Sequence, residues 1–168
     1  MHRRSPRLIA LLLAVAVLGA IGGGIATAAV MRATATKRVV LARFVNPRGA
    51  DDRTLYMQRV TIPAGSKLPS HFHNGSQIGA ITAGTLRYSV DRGGTVKVVA
   101  WDTTGQKPAV VHTIKPGETY DVQTGESVVE PAGMVHHVTA LPGHDVVVYV
   151  SSLFTNGSPL SVLAPPTA

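Results

Sequence analysis

Short apolar runs separated by glycine and proline dominate the chain from residue 39 onward. In 86–90, for example, Leu86, Tyr88 and Val90 alternate with Arg87 and Ser89. A period of two is typical of strands with one buried face. No stretch after residue 38 shows the helical period. We therefore predict strands at 39–45, 54–62, 77–82, 85–91, 96–101, 109–114, 127–130, 135–140 and 146–152.

Turn-forming pairs such as Asn74-Gly75, Gly93-Gly94 and Pro142-Gly143 fall between these runs. An open sheet of nine strands would curl or split into two layers. The pattern therefore predicts an all-β fold, a closed barrel or jelly roll, over residues 39–154. Residues 155–168 are rich in proline, serine and small residues, so we expect a flexible C-terminal tail.

The first 30 residues have a different character. Arg3, Arg4 and Arg7 precede an uncharged run over 8–30. This run ends near Ala26-Thr27-Ala28, a small-x-small pattern that signal peptidase reads, but it is also long enough to span a bilayer. We predict a signal peptide or an uncleaved signal anchor at 1–30 and a polar tether at 31–38. Either form places the domain outside the cytoplasm, because the arginines stay inside.

The expected location is therefore extracytoplasmic, with the protein secreted or anchored to the outer face of the cytoplasmic membrane, and membrane contact made only through the N-terminal segment. The formal net charge is +7, but six of the 16 Lys and Arg residues lie within 1–38. Residues 39–168 contain ten basic and nine acidic residues, so this part of the chain is nearly neutral. We therefore expect no nucleic-acid partner. The chain has no cysteine, which excludes disulfides, thiolate ligands and a cysteine nucleophile.

Three histidines carry the candidate chemistry. His71 and His73 are two residues apart, so on a strand they share a face, separated by roughly 6.6 Å along the chain. That spacing lets two ring nitrogens converge on one ion at about 2.0–2.1 Å. The turn pair Asn74-Gly75 can bring Gln77 back towards the same ion, and His136 can add a fourth ligand. A polar pocket in which the histidines bond to each other and to water is the alternative.

The joint spacing reads G-x5-H-x-H-x3-Q-x6-G and, later, G-x5-P-x-G-x2-H. It resembles the two conserved motifs of the cupin superfamily, over residues 54–152 of a small single-domain protein. Glu usually stands where this chain has Gln77, and Asn commonly ends the second motif where this chain has Ala140. The eight matched positions are Gly65, His71, His73, Gly84, Gly125, Pro131, Gly133 and His136.

The resemblance implies a cupin-type jelly-roll β-barrel that binds one divalent metal ion (Fe, Zn, Mn, Cu or Ni) through His71, His73, Gln77 and His136. It implies no organic cofactor. Glutamine offers one neutral carbonyl oxygen where glutamate offers a charged carboxylate. Three imidazoles and an amide would leave the charge of the ion uncompensated, which favours an anionic ligand.

Cupins with three histidines and no carboxylate include dioxygenases, so the resemblance implies a metal-dependent, dioxygenase-type oxidoreductase acting on a small organic substrate. A non-catalytic cupin of the cell envelope that binds a small ligand or metal is the alternative, and whether the chain is an enzyme stays open. No catalytic residue is assigned, because Glu118, Asp121, Glu126 and Glu130 stand near turns, where carboxylates are ordinarily solvated. His137 is expected on the face opposite His136. A homodimer through residues 39–62 is also open.

Overall fold

The computed structural model describes residues 35–101, 104–105 and 107–165. The predicted export segment, 1–30, lies outside the described residues, as does most of the predicted tether. Within the described part, no helix is long and apolar enough to cross a membrane. Its twelve strands are β1 (Lys37–Val45), β2 (Arg53–Ile62), β3 (Lys67–Phe72), β4 (Gly75–Ala83), β5 (Leu86–Arg92), β6 (Val96–Trp101), β7 (Pro108–Ile114), β8 (Thr119–Val122), β9 (Ser127–Glu130), β10 (Val135–Ala140), β11 (Val146–Thr155) and β12 (Val162–Leu163).

The strands form two antiparallel sheets, as the alternating pattern predicts. The larger sheet has the order β1-β2-β11-β4-β9-β6-β7, and the smaller has the order β12-β3-β10-β5-β8. The core is rich in valine, and every second residue of β11 is buried from Val146 to Phe154. Leu86, Tyr88 and Val90 of β5 are buried together as predicted. The all-β prediction is therefore correct, in a two-sheet form.

Three strands were not predicted: β3, β8 and β12. β3 contains Pro69, which lacks a backbone N–H and argues against a paired strand. The pairing of β3 with β10 runs from His71↔His136 to Leu68↔Val138, so β3 has one extra residue over this interval. Pro69 lies inside this irregularity. A bulge therefore accommodates Pro69, the residue because of which β3 was not predicted.

The Asn74-Gly75 pair does not close a hairpin. It links β3 in the smaller sheet to β4 in the larger one. Gly75 lies against β11, and a Cβ there would come within 2.8 Å of the Cα of Phe154. The absence of a side chain at this point lets the chain cross between the sheets directly after His73.

Both ends of the described part differ from the prediction. β1 begins at Lys37, so Arg38 belongs to the sheet and not to a tether. The described part of the tail is paired with the domain, because Val162 and Leu163 bond to Phe72 and His71 of β3. The prediction of a flexible tail over 155–168 is corrected for these residues, whose pairing is backbone to backbone and leaves little trace in side-chain pattern.

Candidate metal centre

His71, His73 and His136 meet between the two sheets. His71 and His136 are paired across β3 and β10, and His73 follows β3 directly. The three side chains are buried, at 5%, 3% and 2% exposure, and one ligand atom from each lies within 4.8 Å of the others. The structure thus brings together residues that are more than sixty positions apart, as the motif spacing predicts.

The backbone fixes how each ring is turned. In each histidine Nδ1 contacts a main-chain carbonyl oxygen, which can only accept a hydrogen bond, so Nδ1 carries the proton and Nε2 has a free lone pair. Metal-bound histidines usually have this outer partner. The contacts are His71 with Pro69 at 2.7 Å, His73 with Leu160 at 2.7 Å and His136 with Met134 at 3.4 Å.

Two of the imidazoles stack on aromatic rings. His73 stacks on Phe154 with ring centroids 5.6 Å apart. His136 stacks on Tyr88 at 4.9 Å. Stacking and the outer hydrogen bonds together restrict ring rotation, so the three Nε2 atoms are preorganised.

Burial keeps the three imidazoles neutral. It lowers the pKa of His71, His73 and His136 to about 4, because a charged imidazole would lose its hydration. The neighbouring histidines lower the pKa of His71 and His73 further. At neutral pH the cluster therefore presents unprotonated nitrogens, the form that binds metal ions.

Glu130 also faces this cluster, and the expectation that it is solvated is wrong. It ends β9 with only 5% exposure. Its Oε2 lies 3.8 Å from Nε2 of His73 and 3.7 Å from Nε2 of His136. The neighbouring Pro131 made it look like a turn residue. In the structure Glu130 has the same strand parity as Val128, which is buried, but the sequence alone does not decide which face of β9 is buried.

Gln77 lies beside the cluster on β4, directly opposite Glu130 in the sheet register. Its Nε2 donates a hydrogen bond of 2.6 Å to Oε2 of Glu130. Its Oε1 is buried, and no residue that the structure describes donates to it. Coordination by Gln77 stays a prediction, whereas its contact with the carboxylate is observed.

These groups line a small cavity of about 50 Å³. Arg38 reaches it from β1, and its Nη1 donates a 2.8 Å hydrogen bond to Oε1 of Gln58. Burial lowers the pKa of Arg38.

The Tyr88 hydroxyl is buried too, and among the described residues it has no hydrogen-bond partner of good geometry. Burial, and then the charge of Glu130, raise the pKa of Tyr88 well above its ordinary value, so it stays protonated.

The donor set fits a divalent transition metal. Three imidazole nitrogens and a carboxylate oxygen all accept, so without a cation they present lone pairs to one another. Zinc, iron, copper and nickel all take imidazole ligands. Elsewhere in the described residues, no other cluster of three histidine or acidic side chains has a geometry suited to a metal ion.

The remaining histidines of the described residues lie elsewhere. His137 points to the opposite face, as predicted, and its Nδ1 bonds to Asp91 at 2.8 Å. His112 stacks on Tyr120, and His144 is exposed in a turn.

The tail makes one contact that matters for the site, since the Leu160 carbonyl accepts the bond from His73. A chain that ends at residue 158 should lose about 10- to 100-fold in zinc affinity, the usual effect of removing an outer partner of a metal-bound histidine. A chain that ends at residue 165 keeps β12 and is the control. Competition with a chromophoric chelator measures both, and equal affinities would contradict a positioning role for the tail.

No family model matches the sequence, and no curated protein matches it. Many solved structures match the fold. A cupin superfamily protein from Desulfitobacterium hafniense is 12% identical with a TM-score of 0.47, and the match covers 71% of this chain and 78% of that one. A cupin domain from Bordetella pertussis is 14% identical with a TM-score of 0.43, covering 70% and 92%.

Two enzymes are also among the matches. A salicylate 1,2-dioxygenase from Pseudaminobacter salicylatoxidans is 16% identical, with a TM-score of 0.43 and coverage of 70% of this chain and 26% of that one. An oxalate oxidase in complex with glycolate is 22% identical, with a TM-score of 0.46 and coverage of 78% and 55%. Two of these four matches are cupins by name, and each of the four is below 25% identity and below 0.5 in TM-score.

Proposed function

We propose that this cupin-like domain binds one divalent transition metal ion through His71, His73 and His136, and that it acts there as a dioxygenase-type oxidoreductase on a small anionic substrate. The observation that carries the proposal is the convergence of three buried imidazoles, each with Nδ1 on a backbone carbonyl. When bound, an iron or copper ion would supply Lewis-acid and redox chemistry.

The alternative of a metal-free polar pocket is less compatible with the same contacts. Neutral imidazoles that donate from Nδ1 have no second proton with which to bond to one another. Their low pKa values oppose a shared proton at neutral pH. Three acceptors and a carboxylate in one small cavity therefore suit a cation from outside, whereas a metal-free pocket would depend on water to supply the missing protons.

Arg38 supports an anionic substrate. Arg38 lines the same cavity as the histidines, and its guanidinium donates a hydrogen bond to a neutral amide, that of Gln58. Within the described part of the chain, no carboxylate lies within ion-pair distance of it. A guanidinium has five N–H donors and pairs well with a planar carboxylate or enolate oxygen. The small cavity volume favours a substrate of few atoms.

A non-catalytic role as a small-ligand or metal-binding protein of the cell envelope is the second candidate. It is favoured by the lack of a free general base among the described residues of the cavity, because Glu130 is bonded to Gln77 and Tyr88 holds its proton. In both cases we propose an exported protein, on the basis of the N-terminal 30 residues. Association of two chains through 39–62 is also proposed, since β1 exposes Val39, Leu41 and Phe44.

Calorimetric titration of the metal-free protein with Mn²⁺, Fe²⁺, Ni²⁺, Cu²⁺ and Zn²⁺ tests the proposal. We expect one ion per chain. No saturable binding of any of the five would refute the metal site. Oxygen uptake by the iron and copper forms, against diketones, flavonols and thiols, then separates an enzyme from a binding protein.

The role of Arg38 has its own test. In the metal-loaded protein, Arg38→Gln should weaken the binding of glycolate or oxalate by about 10- to 100-fold, the value of a charge-assisted hydrogen bond. Arg43→Gln, an exposed change on the same strand, is the matched control. Calorimetry measures both, and equal weakening by the two variants would remove Arg38 from the ligand site.

A further inference from the structure

We infer that Glu130 supplies the charged ligand of the proposed metal site and that Gln77 positions it. The inference rests on the proposed function. It reverses what the motif resemblance implies, because that resemblance places the acidic ligand at position 77. In this chain the acid stands on the paired strand instead, at the end of β9.

One oxygen atom of Glu130 makes all the relevant contacts. Oε2 lies 3.7 and 3.8 Å from Nε2 of His136 and His73. Ligand atoms that share an ion with bonds of about 2.1 Å lie about 3.0–3.4 Å apart when adjacent. The two observed separations are longer by a few tenths of an ångström. Glu130 does not belong to the group whose ligand atoms all lie within 4.8 Å of one another, so its carboxylate has to move towards His71 to share the ion.

Gln77 is suited to hold the carboxylate. Residues 77 and 130 are direct partners in the antiparallel pair, so their side chains leave the same face of the sheet. The amide of Gln77 donates to Oε2 at 2.6 Å, a bond that fixes the oxygen towards the histidines. A second carboxylate at 77 would repel the first in this buried place. One acid and one amide are therefore the compatible combination. Compared with the cupin motif, the acidic ligand moves from position 77 to position 130, and position 77 holds the amide that positions it.

The buried charge of Glu130 also supports its role as a metal ligand. Glu130 is buried, and the described residues offer no Lys or Arg nitrogen within 4.0 Å of its carboxylate. Its close neighbours are neutral imidazoles, an amide and the Tyr88 hydroxyl, and Arg38, which lines the same cavity, acts on it only from beyond that distance. A buried carboxylate is ordinarily paired or bound to a metal. A divalent ion at the three Nε2 atoms supplies that partner and is itself partly neutralised.

A role exchange predicts the behaviour of three variants. Zinc affinity, measured by chelator competition, should fall about 100-fold or more in Glu130→Gln, since losing a ligand costs more than losing an outer partner. The double variant Gln77→Glu/Glu130→Gln moves the acid to position 77 on β4, and its zinc affinity should recover to within about tenfold of the wild type. Gln77→Ala should weaken binding about 10- to 100-fold and alter the Cu²⁺ electron paramagnetic resonance spectrum, as expected of a positioning residue.

Glu118→Gln, an exposed change outside the cavity, is the matched control for a lost charge. Wild-type affinity and spectrum in Glu130→Gln would overturn the inference and leave the three-histidine site standing. An equal loss in Glu118→Gln would overturn it as well, because the effect would be general electrostatics. A double variant no better than Glu130→Gln would overturn the exchange of roles. Absence of metal binding in the wild type would instead refute the proposed function.

Discussion

Replacing His136 with alanine is expected to abolish tight metal binding, with an affinity at least about 100-fold lower than in the wild type. His136 lies at the centre of the cluster, paired with His71 across the sheet and stacked on Tyr88. Removing a direct ligand should exceed the 10- to 100-fold loss that follows removal of an outer partner. Zinc competition with a chromophoric chelator measures the change.

His137→Ala is the matched control for that experiment. It alters the next residue on the same strand, whose ring faces Asp91 on the other side of the sheet. We expect it to bind zinc as the wild type does. A far-ultraviolet circular dichroism spectrum and a denaturation midpoint establish that both variants fold. Equal zinc affinity in the two variants would contradict the assignment of His136.

The metal-free protein should lose stability as the pH falls from about 6.5 towards 4. The three buried histidines have pKa values of about 4 in the folded chain and near 6.5 when unfolded. Between these values the unfolded chain binds more protons, so acid favours unfolding. Each histidine contributes a slope of up to about 1.4 kcal/mol per pH unit. The free energy of unfolding in urea at several pH values measures the loss.

A variant with asparagine at 71, 73 and 136 is the comparison. It keeps polar side chains at these sites but removes their titration, so its stability should change much less over the same pH window. The difference between the two proteins isolates the histidines from the carboxylates. Identical pH profiles would show that burial of these imidazoles does not set the acid sensitivity.

Much of this site could be predicted from sequence because its key spacings are local. His71 and His73 share a strand face by their separation alone, whereas the crossing between the two sheets at Gly75 was not predicted. His136 came from the second motif. Glu130 was missed because Val128 and Val129 are both apolar, so the pattern did not decide which face of β9 is buried.

Two other residues that contribute to the candidate metal centre could not be predicted, for a different reason. Leu160 acts through its backbone carbonyl, which is the same in every residue and leaves no trace in side-chain pattern. Arg38 was assigned to the polar tether over 31–38, and its inward direction depends on where β1 joins the sheet. Strand parity is fixed by tertiary pairing, which a single sequence does not specify.

X-ray absorption spectroscopy of the zinc-loaded protein tests the three-histidine site itself. We expect one ion per chain with three imidazole ligands at about 2.0–2.1 Å and at least one oxygen ligand. A spectrum with fewer than two imidazoles, or one that is unchanged when residues 71, 73 and 136 are replaced together, would contradict it.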